Sequence, residues 1–199
     1  MKLAELEQEL KVQFPKAFHR IYETGAMKWL EMSQEEFAAN REEYINDSKA
    51  FLMLDCSCEL LIFDKISEAI DDLKEWIECQ EKDNDVTLSE DVTLIPFGKN
   101  GGGDLYCFLY SNETEEPMVI LYYHDEYDNP PIEGHDFDEF IYTQMLDAVA
   151  NDEDIDGEHF TENLNYLSDK YRQMITDKDV DTLIDEFDAL EIDEAEIWE

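Results

Sequence analysis

The sequence predicts an α+β fold in which helices come first, a hairpin sheet follows and further helices end the chain. Apolar residues recur at helical spacing before residue 80 and again after residue 135. Between residues 92 and 123, short apolar runs are separated by turn-forming residues, which is typical of strands joined by hairpins. Because no helical pattern separates these strands, the order favours α+β over a parallel α/β sheet.

Three short helices are predicted within the first 46 residues. The first is predicted from apolar residues that lie three and four positions apart: Leu3, Leu6, Leu10 and Phe14. Pro15 suits the first position of the second helix, and Gly25 suits the position just after its end. Ser33 and Glu36 have the spacing of a capping box, which predicts a third helix over residues 33–46.

The central region is predicted to contain the strands. An apolar run at residues 51–63 predicts one or two strands, bent near residues 55–58. A helix follows, predicted from residues at helical spacing: Ile66, Ile70, Leu73 and Ile77. Three further strands are predicted from short apolar runs: residues 92–97, 105–110 and 118–123. A glycine turn at residues 98–103 and a loop at residues 111–117 would join them.

The region after the strands is predicted to be a long loop, residues 124–134, and then helices. The first of these helices is predicted from Phe137, Phe140, Ile141, Met145 and Leu146. The composition changes after Asn151, which predicts a domain of residues 1–150 and an acidic helical extension of residues 151–199. Two apolar stripes predict that the extension packs on the domain: Leu164, Leu167, Tyr171 and Met174; Val180, Leu183, Ile184 and Phe187. The tail beyond Leu190 is predicted to be mobile.

Charge restricts the class of partner. The 199 residues include 14 Lys and Arg against 53 Asp and Glu, a formal net charge of −39 at pH 7. Residues 100–199 hold 3 basic and 30 acidic residues, and residues 100–169 contain no Lys or Arg. Such a surface repels nucleic acid and anionic lipid, whereas it attracts basic proteins. We therefore predict a basic protein partner, no nucleic acid and no membrane.

The sequence also bears on location and cofactors. No apolar run approaches the roughly 20 residues of a membrane span, and the N-terminus lacks the apolar stretch of a signal peptide. A cytoplasmic location is therefore predicted. Four cysteines are few for a disulfide framework, and Cys56-x-Cys58 lacks the second ligand pair of a zinc site. We predict neither a metal nor any other cofactor.

Several motifs, taken in order, resemble those of one family. Phe14-Pro15 is followed ten residues later by Gly25. The strand and turn motifs come next: Leu94-Ile95-Pro96-Phe97-Gly98, Gly101-Gly102-Gly103-Asp104, the strand of residues 105–109, residues 119–123 with His124-Asp125, and Asp136-Phe137-Asp138-Glu139-Phe140-Ile141. Their order and spacing are similar to the core of the SUKH superfamily, the Smi/Knr-type proteins. The resemblance covers about residues 5–147.

This resemblance implies a mainly antiparallel sheet packed by helices, here with a C-terminal helical extension, and it implies no catalytic residues. Bacterial members of the family resemble immunity proteins that neutralise toxins, often nucleases, delivered between competing cells. Yeast members are scaffolds in cell-wall signalling. Residues 29–50 look longer than a minimal member needs, and residues 151–199 have no counterpart in the family pattern.

The glycine-rich turn is predicted to be structural. It comprises Gly98, Gly101, Gly102, Gly103 and Asp104. A phosphate-binding loop would need Gly-Lys-Ser/Thr followed by a helix, whereas a strand follows here. We expect a turn with positive φ in which the Asp104 side chain accepts hydrogen bonds from turn amides.

An acidic loop after residue 151 resembles the first half of a calcium-binding EF-hand loop. Asp152, Asp154, Asp156 and Gly157 occupy the expected positions one, three, five and six. Position twelve, which should be a bidentate Glu, is Asn163. A solvated acidic loop between helices is therefore favoured, and calcium binding stays open as the alternative.

Residues 122–128 are predicted to bind the partner. Their side chains combine tyrosine with acid: Tyr122, Tyr123, Asp125, Glu126, Tyr127 and Asp128. Together such groups offer a basic surface salt bridges, hydrogen bonds and cation–π contacts. The competing interpretation is that one of the strand tyrosines faces the core and that the acids only cover the surface.

These observations predict a non-enzymatic binding protein, an immunity protein that neutralises a basic, nuclease-like polymorphic toxin by occluding its active groove. The first alternative is an intracellular scaffold or regulatory protein of the Smi/Knr type. The second is a small metal-dependent enzyme centred on the loop after His124. Against it, the chain has no Gly-x-Ser-x-Gly elbow and no His-Glu-x-x-His pair.

Overall fold

The computed structural model describes residues 1–45, 51, 58–112, 114–125, 128–151 and 158–199. The helices are α1 (Leu3–Leu10), α2 (Lys16–Thr24), α3 (Gln34–Ile45), α4 (Phe63–Asn84), α5 (Phe137–Ala150), α6 (Glu158–Leu164), α7 (Asp169–Thr176) and α8 (Val180–Asp188). The strands are β1 (Glu59–Leu60), β2 (Thr93–Lys99), β3 (Leu105–Tyr110), β4 (Met118–Tyr122) and β5 (Ile132–Gly134). A short 3-10 helix, Lys28–Glu31, lies between α2 and α3. The fold is α+β, as predicted.

The N-terminal helices form close to where the sequence predicts, but α1 ends at Leu10, before Phe14, and Pro15 is the residue before α2 and not its first residue. Pro15 precedes α2, and Gly25 ends it with a φ of 90°, a backbone conformation that glycine adopts without strain. The capping box forms at the start of α3. The Ser33 N–H donates to Glu36 Oε2 at 3.0 Å, and the Glu36 N–H donates to Ser33 Oγ at 3.3 Å.

The five strands form one antiparallel sheet in the order β1-β2-β3-β4-β5. The register between β2 and β3 shifts at Phe97. Pro96 pairs with Cys107 and Gly98 pairs with the next residue of β3, Tyr106, so Phe97 is an extra residue that forms a bulge. Gly98 therefore lies in β2 and not in the predicted turn. A Cβ atom at Gly98 would lie 2.5 Å from Cys58 Sγ, so the close approach of the chain beside β1 requires glycine there.

Two strands differ from their predictions. Within the apolar run of residues 51–63, the described strand has only two residues, and Phe63 already begins α4. Residues 52–57 of that run lie outside the described part of the chain. The strand β5 lies inside the predicted loop of residues 124–134 and pairs with β4. Three residues are too few to show the alternating pattern of a strand, so the sequence did not reveal it.

Side chains cover both faces of the sheet. On the first face, the rings of Phe97 and Phe108 stack at 4.1 Å. Four further rings surround this pair, from the segment before α2, from α2 itself and from α5: Phe14, Phe18, Phe137 and Phe140. On the second face, α4 and the C-terminal tail cover residues of β3 and β4: Leu105, Cys107, Leu109, Ile120 and Tyr122.

The C-terminal helices pack on the same core as the N-terminal ones, as their apolar stripes predict. The first stripe is split, because α6 ends at Leu164 and α7 begins at Asp169. The part of the chain that follows Leu164 contributes four buried residues to the cluster that also contains the stacked phenylalanines. They are Leu167, Tyr171, Ile175 and Leu183. The hydrophobic core therefore includes residues from both sides of the predicted boundary at residue 150.

The prediction of a mobile tail beyond Leu190 was wrong. The tail is held by backbone hydrogen bonds to β5 and the segment before it, and to the segment before β2. The bonds are Ile132 N–H to Asp193 O, Ala195 N–H to Pro130 O, Ser89 N–H to Ile197 O, Thr87 N–H to Glu199 O and Glu199 N–H to Thr87 O. Ala195 and Ile197 are buried against the second face of the sheet. These partners are distant in sequence, so composition alone suggested a free acidic end.

The docked tail leads to a stability prediction for two isoleucines. Ile197 is 0% exposed, whereas Ile192 is 71% exposed. Ile197→Ala should lower the free energy of unfolding by about 2–5 kcal/mol, because it leaves a cavity against the sheet. The matched change Ile192→Ala should alter it by less than about 0.5 kcal/mol. Urea denaturation of both variants measures the difference, and equal stabilities would contradict the docked tail.

Candidate functional site

The turn between β2 and β3 is organised by Asn100, not by Asp104 as predicted. Asn100 Oδ1 accepts hydrogen bonds from the N–H groups of Gly102 and Asp104, each at 2.9 Å. Gly103 has a φ of 96°, which confirms the expected positive φ. An Asn side chain that bonds the backbone two residues on is a common turn former, so the Asn100-Gly101 pair was the missed sequence signal.

Asp104 instead joins this turn to the segment after β4. Its Oδ1 accepts a hydrogen bond from the His124 N–H at 3.3 Å and lies 2.6 Å from His124 Nδ1. Its Oδ2 accepts a hydrogen bond from Asn100 Nδ2 at 2.8 Å. Burial raises the pKa of Asp104, but the hydrogen bonds from Asn100 and His124 outweigh it, so the pKa lies below its ordinary value. Asp104 therefore acts as an ionised clamp on the start of the predicted partner-binding segment.

Asp104, His124 and Asp125 together have the side chains of a metal site. One potential ligand atom from each lies within 4.8 Å of the other two. However, His124 Nδ1 and Asp104 Oδ1 already form a hydrogen bond with each other. Three ligands are also fewer than the four of a structural zinc site. The hydrogen bonds explain this cluster without a metal.

The predicted partner-binding residues do not share one exposed surface. Tyr122 is 2% exposed, and its hydroxyl donates to Gln80 Oε1 at 2.5 Å. Burial also raises the pKa of Tyr122, which keeps the phenol neutral. Tyr122 therefore belongs to the core, as the competing interpretation of the strand tyrosines allows.

The rest of the segment is closer to solvent. Tyr123 is half-buried, and Asp125 and Asp128 are exposed. Glu126 and Tyr127 lie outside the described residues. Of the four described residues among the six predicted to bind the partner, Asp125 and Asp128 are therefore the exposed ones.

The calcium-loop hypothesis concerns residues that the structure does not describe. All four residues of the motif lie outside the described residues: Asp152, Asp154, Asp156 and Gly157. Asn163, at position twelve, lies in α6 and is buried. The expectation of weak or no calcium binding stays a prediction.

Half of the 14 Lys and Arg side chains form described ion pairs with acids. The described ion pairs between Lys or Arg and a carboxylate are Lys16–Glu116, Arg20–Asp138, Arg41–Glu59, Lys65–Glu68, Lys74–Asp71, Arg172–Asp169 and Lys178–Glu186. These pairs neutralise positive charge locally while the chain keeps its net charge of −39. A partner that approaches this protein therefore meets a negative field with little positive charge to oppose it.

The family can now be stated. A model of the SMI1 / KNR4 family (SUKH-1) matches residues 2–143, more than two thirds of the 199 residues. The chain therefore belongs to this family, as its motifs predict. No curated protein and no solved structure matches the chain.

As a member of this family, the chain is in general terms a Smi/Knr-type or immunity-like protein. The family is generally non-enzymatic and suggests interaction with other proteins. In the described part of the chain, no helix has both the length and the apolar character needed to span a membrane.

The clamp formed by Asp104 leads to a local prediction. Asp104→Ala removes the acceptor of the His124 N–H, so the amide of His124 should exchange its hydrogen faster than in the unaltered protein. The variant should also lose about 1–3 kcal/mol of stability, because Asn100 Nδ2 loses its partner too. Asp125→Ala, an exposed neighbour, is the control and should leave the exchange rate of His124 unchanged. Equal rates in the two variants would show that Asp104 does not hold the segment.

Proposed function

We propose that this protein is a cytoplasmic immunity protein that binds a basic, nuclease-like toxin domain and occludes its active groove. The observation that carries the proposal is the excess of 53 acidic over 14 basic residues on a chain of the SMI1 / KNR4 family (SUKH-1). A nuclease groove is basic because it must hold phosphates, and an acidic protein competes for the same positive side chains.

Charge serves two steps in this mechanism. First, the negative field accelerates encounter with a basic partner from a distance. Second, exposed carboxylates such as Asp125 and Asp128 pair with Lys or Arg of the groove and block access of nucleic acid. Glu126 and Tyr127, between them in sequence, are proposed to contribute to the same contact. The clamp by Asp104 would reduce the entropy lost when this segment binds.

The alternative function is a scaffold or regulatory protein of the Smi/Knr type, which the family itself supports. A scaffold binds its partner without inhibiting it. The two functions therefore differ in what happens to the partner's activity and not in whether a complex forms.

The test begins with capture of the partner by the tagged full chain in lysates of its own cells and of competing cells. The captured protein is then purified and assayed for nucleic acid cleavage with increasing amounts of this protein. The immunity function requires that cleavage stops near equimolar addition. A partner that keeps its full activity, or that has no activity to block, would support the scaffold instead.

The electrostatic step leads to a kinetic prediction. The association rate with the captured partner should fall steeply between 0.01 M and 0.15 M salt, because the Debye length shrinks from about 30 Å to about 8 Å. Stopped-flow mixing at several salt concentrations measures this dependence. A rate that stays flat over the range would remove electrostatic steering from the mechanism.

A further inference from the structure

The C-terminal tail, defined as residues 191–199, lies outside the residues that the family model matches and contacts two segments of the domain. On one side it pairs with residues 87–89, between α4 and β2, and on the other with residues 130–132, which lead into β5. Residues 130–132 come shortly after the predicted partner-binding segment. The tail therefore borders the proposed contact, although it is distant from it in sequence.

The tail binds the residues that directly follow Asp128. The Ala195 N–H donates to the carbonyl oxygen of Pro130 at 2.9 Å, and the Ile197 N–H donates to Asn129 Oδ1 at 3.4 Å. Pro130 is itself buried, so the shorter of these bonds is shielded from water, which strengthens it. The chain is thus held at the two positions after Asp128.

The other end of the segment is held independently. Asp104 Oδ1 accepts a hydrogen bond from the His124 N–H at 3.3 Å and lies 2.6 Å from His124 Nδ1. Asp125 directly follows His124, and Asp128 directly precedes Asn129. Each of these two exposed acids is therefore next to a held position, one beside the clamp by Asp104 and the other beside the tail.

Apolar burial keeps the tail in place against its own charge. Ala195 and Ile197 are buried in the cluster on the second face of the sheet. The tail also contains five exposed acids, which repel the acidic domain: Glu191, Asp193, Glu194, Glu196 and Glu199. Because the side chain of Ile197 is buried, it cannot touch a partner. Any effect of Ile197 on partner binding must pass through the residues that the tail holds or through the acids that it carries.

We propose that the C-terminal tail, through the buried side chains of Ala195 and Ile197, positions Asp128 for contact with a basic protein partner. The proposal rests on the proposed function, since it assigns a positioning element to the same contact. A segment that is already ordered loses less entropy on binding, so its complex is tighter without any added contact. The tail thus acts on Asp128 as Asp104 acts on Asp125.

The first test needs no partner and compares two isoleucines of the same tail. Ile197→Asp places a charge in an apolar site and should release the tail, whereas Ile192→Asp adds the same charge at a position that is 71% exposed. Nuclear magnetic resonance relaxation measures the order parameter of the Asp128 amide. It should fall from about 0.85 to below about 0.6 in Ile197→Asp and stay unchanged in Ile192→Asp. Equal order parameters in the two variants would overturn the proposal.

Milder variants keep the test valid if Ile197→Asp does not fold. Ile197→Ala should also lower the order parameter of the Asp128 amide, and Ile197→Val, which keeps most of the buried side chain, should restore it. Ile175→Ala is the control for general loss of stability, because Ile175 of α7 is buried in the other core cluster. An equal fall of the order parameter in Ile175→Ala would contradict the positioning role.

The second test uses the purified partner from the capture experiment and a double-mutant cycle. Ile197→Asp should raise the dissociation constant about fivefold, because the ordering of Asp128 must then be supplied on binding. In a chain that already carries Asp128→Asn, the same change should have less than about a twofold effect, because no carboxylate remains to be positioned. Equal effects in the two backgrounds would show that the tail acts through its own acids, which would overturn the proposal.

The same measurements distinguish this proposal from the function on which it rests. If the nucleic acid cleavage of the partner is inhibited, yet Ile197→Asp binds the partner as tightly as the unaltered protein, the immunity function stands and the positioning role falls. If the partner is not inhibited, but the cycle shows the coupling between Ile197 and Asp128, the positioning role stands and the immunity function falls.

Discussion

The stacked rings of Phe97 and Phe108 are the contact on which the arrangement of helices around the sheet depends. Phe137 packs edge-on against both rings, at 5.7 Å and 5.6 Å, and thereby places the start of α5 on the sheet. Phe18 joins the same cluster from α2. The bulge at Phe97 permits the stacking of Phe97 on Phe108. Phe97 is the extra residue of β2, which lies between the paired residues Pro96 and Gly98. Aromatic packing thus positions α5 on the sheet.

The large negative charge limits how this fold can be stabilised. Like charges repel across the surface, so apolar burial must supply most of the stability. Several of the few cations connect elements that are distant in sequence. Arg20 of α2 donates to Asp138 of α5 and to the carbonyl oxygen of Tyr166, and Lys16 pairs with Glu116. The remaining acids give the chain its net charge of −39.

Polar groups in the described structure differ in how well their surroundings satisfy them. Asp104 and Tyr122 have hydrogen-bond partners and hold segments in place. Glu133 and Gln144, by contrast, are unfavourable where they lie, one through its burial beside Asp147 and the other through an oxygen without a donor.

The sequence by itself determined the fold class, the positions of most helices, the three long strands and the family, because periodicity, caps and turn residues act over a few neighbouring positions. It also determined the strongly negative charge of the protein itself, since charge follows from composition alone. Only the tertiary structure decided that Tyr122 is buried, that the tail through Ile197 is docked, and that Glu133 meets Asp147 and Gln144 in one cavity. Each of these depends on residues brought together from distant parts of the chain or on which face of a strand meets the core, and no local pattern encodes such pairings.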